Sequence, residues 1–213
     1  YELHVKGLNR VGNMFISNES YMKFEDIVNP MLKKIYEKKK RLSVRELIHE
    51  LGLLISEKND ENSVLAQASK YNVPIFCPGI TDGAFGFHLY LFQQKHPDFV
   101  VDIIWDFKEI LLSTSQDEKK GLIALGGGIA KHHAILAGLL NGGFDYALYM
   151  TTDQPTAGSL SGATTQEAKS WGKIKDDADA VTVVGDASVF FPIAICDVFE
   201  KLSKEGFIDE KNN

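Results

Sequence analysis

The segment "GLIALGGGIAKHH" (Gly121–His133) joins an apolar run to three glycines and then to residues of helical character. The run predicts a buried strand over Gly121–Gly128, followed by a helix over Ile129–Leu140. Glycines let backbone N–H groups approach a phosphate, and the following helix N-terminus adds a positive partial charge. The spacing is not GxGxxG, so the motif by itself fits a dinucleotide site and a tight strand-to-helix turn equally well.

The same alternation of apolar strands and helices runs through the chain. Further strands are predicted at Val73–Pro78, Phe99–Ile104, Asp145–Met150 and Ala180–Ser188. Helices are predicted at Lys23–Lys40, from a Ser43–Glu46 capping box to Ser56, at Ser63–Lys70, up to Gln94, up to residue 115 and over Val189–Lys204. This pattern predicts an α/β fold, a Rossmann-like parallel sheet with helices on both faces, as a single domain over residues 1–213.

Polar residues cluster where the predicted strands end. These ends are "TDG" (81–83), "GGG" (126–128), "TTD" (151–153) and "GDAS" (185–188). Ligands of parallel α/β sheets bind beyond the carboxyl ends of the strands, so together these segments favour a dinucleotide site. Asp186 fits either a hydrogen bond to a ribose or adenine or the N-cap of the next helix.

The long polar segment Thr151–Lys173 offers groups for amine chemistry. Glu167 could bind an amine, Trp171 could cover it by a cation–π contact, and Lys173 could attack a carbonyl or imine carbon. Taken alone, the segment fits a mobile surface loop. Of the adjacent His132 and His133, at most one faces the ligand crevice, where it is a candidate general base.

Composition argues against several classes of protein. The net charge of −6 leaves no broad basic face for nucleic acid. No apolar segment is long enough for a membrane span, and no signal peptide, zinc-ligand spacing, Walker A motif or G-x-S-x-G elbow is present. Cys77 and Cys196 lie in apolar runs, which predicts buried free thiols of a reducing cytosol and a cytoplasmic protein.

Several motifs, in their order and spacing, resemble the deoxyhypusine synthases through nearly the whole chain. The motifs are "NRVGNMFISNESYMKFEDIVNPML", "PIFCPGITDGAFG", "LGGGIAKHH", "SGATTQEAKSWGK" and "GDASVFFP". The resemblance implies an enzyme that uses NAD to oxidise spermidine and captures the butylamine moiety as a lysine imine. That moiety then passes to a specific lysine of a translation factor, giving deoxyhypusine.

The resemblance also implies roles for individual residues. Lys173 matches the imine-forming lysine and His132 a base in the oxidation. The residues that match substrate-binding positions are Tyr21, Gly158, Ser159, Glu167 and Trp171. The residues that match NAD-binding positions are Asp82, Gly127, Thr152, Asp153, Asp186 and Ala187.

The chain departs from the family pattern at three acidic positions. Phe87 and Leu160 stand where many members have aspartates, and Ala157 replaces an acid earlier in the loop. Loss of a charge-assisted contact costs roughly 1.5–3 kcal/mol, so spermidine should bind less tightly and another donor such as agmatine becomes plausible. Two alternatives follow: a homospermidine synthase that uses a diamine acceptor, and a non-catalytic NAD-binding paralogue that regulates a partner subunit.

The resemblance further implies an assembly. Members of the family form homotetramers as dimers of dimers, with active sites at the dimer interface. They usually have an additional N-terminal segment that supplies part of the nucleotide site, and here the chain starts at Tyr1. We therefore expect activity to require a complementary N-terminal piece, for which a separate chain is one source.

Overall fold

The computed structural model describes residues 1–57, 62–113 and 117–208. It is a mixed α/β structure with parallel strands and helices, which confirms the predicted fold class. Its contacts divide the chain into two compact units, residues 1–107 and the part from Lys108 onward. The single catalytic domain over residues 1–213 stays a prediction. Within the described residues, no helix has the length and apolarity that crossing a membrane requires.

The first unit is mainly helical. Its elements are α1 (Glu2–Val5), β1 (Leu8–Val11), β2 (Met14–Ser17), α2 (Asn18–Lys38), β3 (Arg41–Ser43), α3 (Val44–Ser56), α4 (Val64–Lys70), α5 (Ala84–Lys95) and β4 (Val100–Asp102). β1 pairs with β2 as an antiparallel hairpin, which the sequence analysis did not predict, and β3 pairs with β4 in parallel. The core includes Leu32, Leu42, Leu47 and Phe99, all almost fully buried.

Local side-chain signals predicted two helix starts of this unit, whereas α2 begins at Asn18, five residues before the predicted start at Lys23. The Ser43–Glu46 capping box is present: the Ser43 hydroxyl accepts from the Glu46 N–H, and the Glu46 carboxylate accepts from the Ser43 N–H at 2.8 Å. Ser63 caps α4 in the same way by accepting from the Ala66 N–H. Both predicted helices are therefore confirmed with their starting residues.

The predicted strand over Val73–Pro78 is wrong. The segment is irregular and follows Asn72, whose φ is +54°. Pro74 and Pro78 have no N–H to donate to a sheet, and Ile75 and Cys77 pack against the helical core instead. These two apolar residues contribute to the helical core and do not form a strand. The "TDG" segment therefore does not follow a strand.

The second unit holds the parallel sheet. α6 (Ile103–Leu112) spans the boundary between the units, and beyond it lie β5 (Gly121–Leu125), α7 (Ile129–Leu136), β6 (Phe144–Thr151), α8 (Thr165–Ser170), β7 (Ile174–Val184) and α9 (Ala187–Lys204). The strands are ordered β5-β6-β7 and all run parallel. Short 3₁₀ helices at Pro155–Ala157 and Leu160–Gly162 interrupt the loop after β6.

Several predicted boundaries need correction. The strand predicted over Phe99–Ile104 ends at Asp102, because the Asp102 carboxylate accepts from the Trp105 N–H and starts α6. The helix predicted to Leu140 ends at Leu136, and turns lead from there to Gly142 and Gly143, both at positive φ. The last strand begins at Ile174, earlier than predicted, since its first half is too polar to stand out as a strand.

The cysteine prediction is partly wrong. Cys77 and Cys196 are both free, as expected, but Cys77 is only half-buried and Cys196 is exposed on α9. The helix predicted up to residue 115 ends earlier, at Leu112, and residues 114–116 and 209–213 lie outside the described residues.

Candidate active site

A cavity of about 650 Å³ lies beyond the carboxyl ends of β5, β6 and β7. Its lining residues are Leu125, Gly126, Gly127, Met150, Thr151, Thr152, Asp153, Ser161, Gly185, Asp186, Ala187 and Ser188. The strand ends that surround it are tied together, since the Gly126 N–H donates to the Met150 carbonyl and the Gly185 N–H to the Thr151 carbonyl. The structure thus brings together Gly127, Thr152, Asp153, Asp186 and Ala187, the predicted cofactor residues of this unit.

The glycine turn forms one wall of this cavity. Gly126 and Gly128 have φ values of +78° and +83°, which only glycine adopts at little cost. A Cβ atom on Gly127 would lie 2.1 Å from the Cβ of Ser161, so no side chain fits there. The turn leads into α7 at Ile129, whose N-terminal end is suited to an anion such as a phosphate.

Two carboxylates face the same cavity. Asp153 accepts hydrogen bonds from the Ser161 hydroxyl and from the Gln154 N–H at 2.9 Å, and these bonds lower the pKa of its carboxyl group. Asp186 accepts from the hydroxyl and the N–H of Ser188, which lowers its pKa likewise. Asp186 is also the N-cap of α9, which confirms one of the two interpretations of this residue. A hydrogen bond to a ribose or adenine stays a prediction. Both groups are ionised acceptors, the type that binds ribose hydroxyls.

These features fit a dinucleotide. A cavity of about 650 Å³ has the size of a cofactor site, the glycine turn offers backbone N–H groups, and the carboxylates offer acceptors. Gly127, Asp153 and Asp186 are the residues that would hold the phosphates and riboses. Their roles stay predictions.

Lys173 lies where α8 turns into β7. α8 ends at Ser170, and Gly172, at φ +67°, reverses the backbone. The Lys173 N–H donates to the Ala168 carbonyl, and its own carbonyl accepts from the Phe144 N–H at 3.0 Å. Both the N–H and the carbonyl group of Lys173 are therefore hydrogen-bonded, which fixes its backbone.

The Lys173 side chain stands over an aromatic ring. It is half-buried, and its Nζ lies 5.1 Å from the centre of the Trp171 ring. Glu167, in the first turn of α8, is exposed, and its N–H donates to the Thr164 hydroxyl at 3.2 Å. The structure thus places Lys173 against Trp171, whereas the cation–π contact expected from the sequence was one between Trp171 and a bound amine.

The other predicted residues of this unit lie at the surface. His132 is exposed on α7, and Gly158 and Ser159 are exposed in the loop between the two 3₁₀ helices. Gly158 has a φ of +66°, and the Ser159 hydroxyl accepts from the Ser161 N–H at 3.3 Å.

Tyr21 and Asp82 belong to the first unit. Tyr21 lines a separate, mainly apolar cavity of about 420 Å³ with Glu25, Phe87 and His88. Asp82 lies in the turn before α5, where its N–H donates to the Gly79 carbonyl.

The sequence analysis missed Ser161 and Lys131. Ser161 lines the cavity and donates to Asp153, a contact between residues separated by a glycine- and proline-containing loop. Lys131 is buried on α7 next to the exposed His132. One signal for it was available: Lys131 precedes the buried Ile135 by four residues, which places it on the apolar face of the helix.

A family model described as deoxyhypusine synthase matches residues 1–198. The chain belongs to the deoxyhypusine synthase family. This confirms the resemblance that the motifs indicated.

Individual relatives agree with the family assignment. The chain is 41% identical over 204 residues to the deoxyhypusine synthase of Senecio vernalis, covering 93% of this chain and 54% of that protein. It is 44% identical over 195 residues to a Thermoplasma acidophilum protein named "Probable deoxyhypusine synthase", covering 91% of this chain and 62% of the relative. The chain therefore spans little more than half the length of these deoxyhypusine synthase relatives.

A solved structure shares the fold. The crystal structure of a candidate deoxyhypusine synthase from Entamoeba histolytica aligns with a TM-score of 0.63 at 28% identity, over 85% of this chain and 56% of that one. Its family agrees with that of the sequence relatives.

Proposed function

We propose that this chain contributes the catalytic lysine and a large part of the NAD site to a deoxyhypusine synthase. The reaction is transfer of the 4-aminobutyl group of spermidine to a lysine of a translation factor. The observation that carries the proposal is the half-buried Lys173 held over Trp171 in a member of this family. An amine against an aromatic wall is shielded from water on one side, which favours nucleophilic attack.

The proposed reaction is redox-neutral overall, because the hydride that the donor loses is returned to the product. Bound NAD, which Gly127, Asp153 and Asp186 would hold, would supply the hydride acceptor for the donor carbon next to the secondary nitrogen and the hydride that reduces the final imine. His132 accepts the proton that this nitrogen loses. The side-chain nitrogen of Lys173 adds to the resulting imine carbon, 1,3-diaminopropane leaves, and the aminobutyl group remains as an imine on Lys173. The acceptor lysine displaces Lys173 from this imine, and reduction gives deoxyhypusine.

The other residues of the unit orient the donor. Glu167 supplies an exposed carboxylate for an ammonium group, and Trp171 offers its ring to the chain of the amine. Gly158 and Ser159 would contact the donor from the loop after β6.

The family gives further expectations about partners. We propose a homotetramer in the cytoplasm, with a translation factor as the acceptor. Homospermidine synthesis would use the same residues with a diamine as acceptor, so product analysis distinguishes the two reactions.

A non-catalytic, NAD-binding regulatory role is the second candidate. Phe87 favours it, because this exposed aromatic side chain stands where many members have a substrate aspartate. Leu160, half-buried in the loop, replaces another.

The test is to trap the imine. The chain, supplied with the N-terminal segment that members of the family have, is incubated with NAD and spermidine, reduced with borohydride and mapped by mass spectrometry, beside Lys173→Ala and Lys169→Ala. We expect an aminobutyl adduct on Lys173 that the first variant lacks and the second retains. Lys169 is the matched control, because its ammonium donates to the Asp176 and Ala178 carbonyls. Absence of an adduct with spermidine, agmatine and putrescine would favour the regulatory role.

A further inference from the structure

Lys131 is a buried cation that the proposed reaction does not use. Its side chain is 5% exposed, on the face of α7 that also buries Ile135. Burial lowers the pKa of its ammonium group, while the carboxylates of Glu167 and Asp153 act in the opposite direction. A lysine that is buried to this degree needs polar partners, because an unpaired buried charge is costly.

Among the described residues, the hydrogen-bond partners of Lys131 come from one short loop. Its Nζ donates to the carbonyl oxygens of Ala163 at 2.7 Å, Leu160 at 3.2 Å and Ser161 at 3.4 Å. The same ammonium group lies 4.3 Å from the centre of the Tyr149 ring on β6. The Lys131 side chain thus binds carbonyl groups of the second 3₁₀ helix and of Ala163 directly after it. It connects them to α7 and to β6.

This loop is a wall of the dinucleotide cavity. Ser161 lines the cavity, donates to the Asp153 carboxylate and fills the space that a side chain at position 127 would occupy. The Ser159 hydroxyl, next to Gly158, bonds to Ser161 in turn. The loop contacts both Asp153 and the glycine turn, so its position determines the distance between these two parts of the cavity wall.

We propose that Lys131 is a positioning residue that holds the Leu160–Ala163 loop against the glycine turn and so sets the affinity of the site for NAD. The proposal rests on the proposed function for the identity of the cofactor. Lys131 acts through Ser161 and Asp153, and it touches neither the donor nor the reacting atoms.

A matched lysine separates this role from general stabilisation. Lys169 also donates to two backbone carbonyls, and it ties α8 to β7 away from the cavity lining. Lys169→Met removes a comparable set of bonds, so a purely structural role predicts similar effects for Lys131→Met and Lys169→Met.

The experiment uses the chain supplied with the N-terminal segment of the family, and it measures the Kd for NAD by fluorescence quenching, the hydrogen exchange of amides 158–163 and the thermal midpoint. For Lys131→Met we expect a Kd about three- to thirtyfold higher than wild type and faster exchange in the loop. Lys131→Arg, which keeps the cation and its donors, should restore most of the affinity. Lys169→Met should bind NAD as wild type does.

The outcomes distinguish the two proposals. If wild type binds NAD and Lys131→Met binds it equally well, the positioning role is wrong while the proposed function stands. If wild type does not bind NAD, the proposed function fails. In that case, unchanged hydrogen exchange of amides 158–163 in Lys131→Met would also refute the role of Lys131 in holding the loop. If Lys131→Met does not fold, Lys131→Gln is held to the same criteria.

Discussion

At the scale of single residues, the Asp145 carboxylate accepts hydrogen bonds from several nitrogen atoms. Its side chain is 6% exposed and lies 2.7 Å from the Nζ of Lys175 and 3.3 Å from that of Lys119. It also accepts from the Lys120 N–H at 3.0 Å. The bond from Lys175 contributes most to lowering the pKa of Asp145 below its usual range, and the Lys120 N–H adds to it. This carboxylate joins the segment before β5 to the first residues of β6 and β7.

The pH dependence of stability follows from that pKa. A carboxyl group whose pKa is lower in the folded state stabilises the fold above its unfolded pKa of about 4, and this contribution is lost as the pH falls through the folded value. We predict that Asp145→Asn lowers the free energy of unfolding at pH 7, and that its difference from wild type shrinks below about pH 4. Urea titrations at a series of pH values measure this.

A surface aspartate provides the control for this prediction. Asp197 pairs with Lys201 on exposed α9, and exposed pairs of this kind contribute about 0.5 kcal/mol or less. Asp197→Asn should therefore change little at any pH. A difference between Asp145→Asn and wild type that stays constant from pH 7 to pH 3 would contradict the assigned role of the carboxylate.

At the scale of elements, the turn between β5 and α7 is in close contact with the loop after β6, through Gly127 and Ser161. Gly127 has backbone angles that other residues adopt, so its requirement is space. An alanine there would push Ser161 away and with it the hydroxyl that bonds to Asp153. The strand, the turn and the loop are therefore one structural unit.

We predict that Gly127→Ala weakens NAD binding by about tenfold or more, because overpacking of a tight contact typically costs about 1–3 kcal/mol. The Kd for NAD, measured by fluorescence or calorimetry, tests this. Gly121→Ala is the matched control: it lies at the start of the same strand, and its nearest neighbour, the Tyr146 Cβ, would be 4.0 Å away. Equal affinities for Gly127→Ala and wild type would contradict the close packing.

Signals within a few residues of each other made much of the fold predictable. The Ser43–Glu46 capping box and the Asp186 cap act over two or three positions, so the sequence displays them directly. The contact of Lys131 with Ala163 joins residues 32 positions apart, and that of Asp145 with Lys175 joins residues 30 apart. Such contacts depend on how the elements meet. For this reason, the motifs correctly predicted that Gly127, Asp153 and Asp186 follow strands, but they misplaced Asp82, which follows no strand, and they did not indicate Lys131.

At the scale of the whole molecule, apolar side chains remain exposed on the second unit. α9 has no buried residue, and its Ile193 and Phe199 are 66% and 52% exposed. Ile123 of β5 and Val181 of β7 are about half exposed as well. Extended apolar surface of this kind marks association sites, in agreement with the proposed homotetramer.

We predict that the chain self-associates at micromolar concentration and that Ile193→Glu reduces its average mass in light scattering. A carboxylate at this position would have to be desolvated in an apolar interface, which is costly. Lys204→Glu, at the polar end of the same helix, should leave the mass unchanged. An Ile193→Glu protein with the mass of wild type would exclude this part of α9 from the contact.

The exposed thiol of Cys196 lies on that same helix. It offers a ready attachment point for a maleimide dye or a spin label, which would report on the surroundings of α9 without any engineered residue. The same accessibility has a cost in handling, since dissolved oxygen can join two such thiols into a disulfide. Preparations kept without a reducing agent will accumulate a covalently linked pair of chains, which denaturing gels reveal and which reversible assembly does not produce.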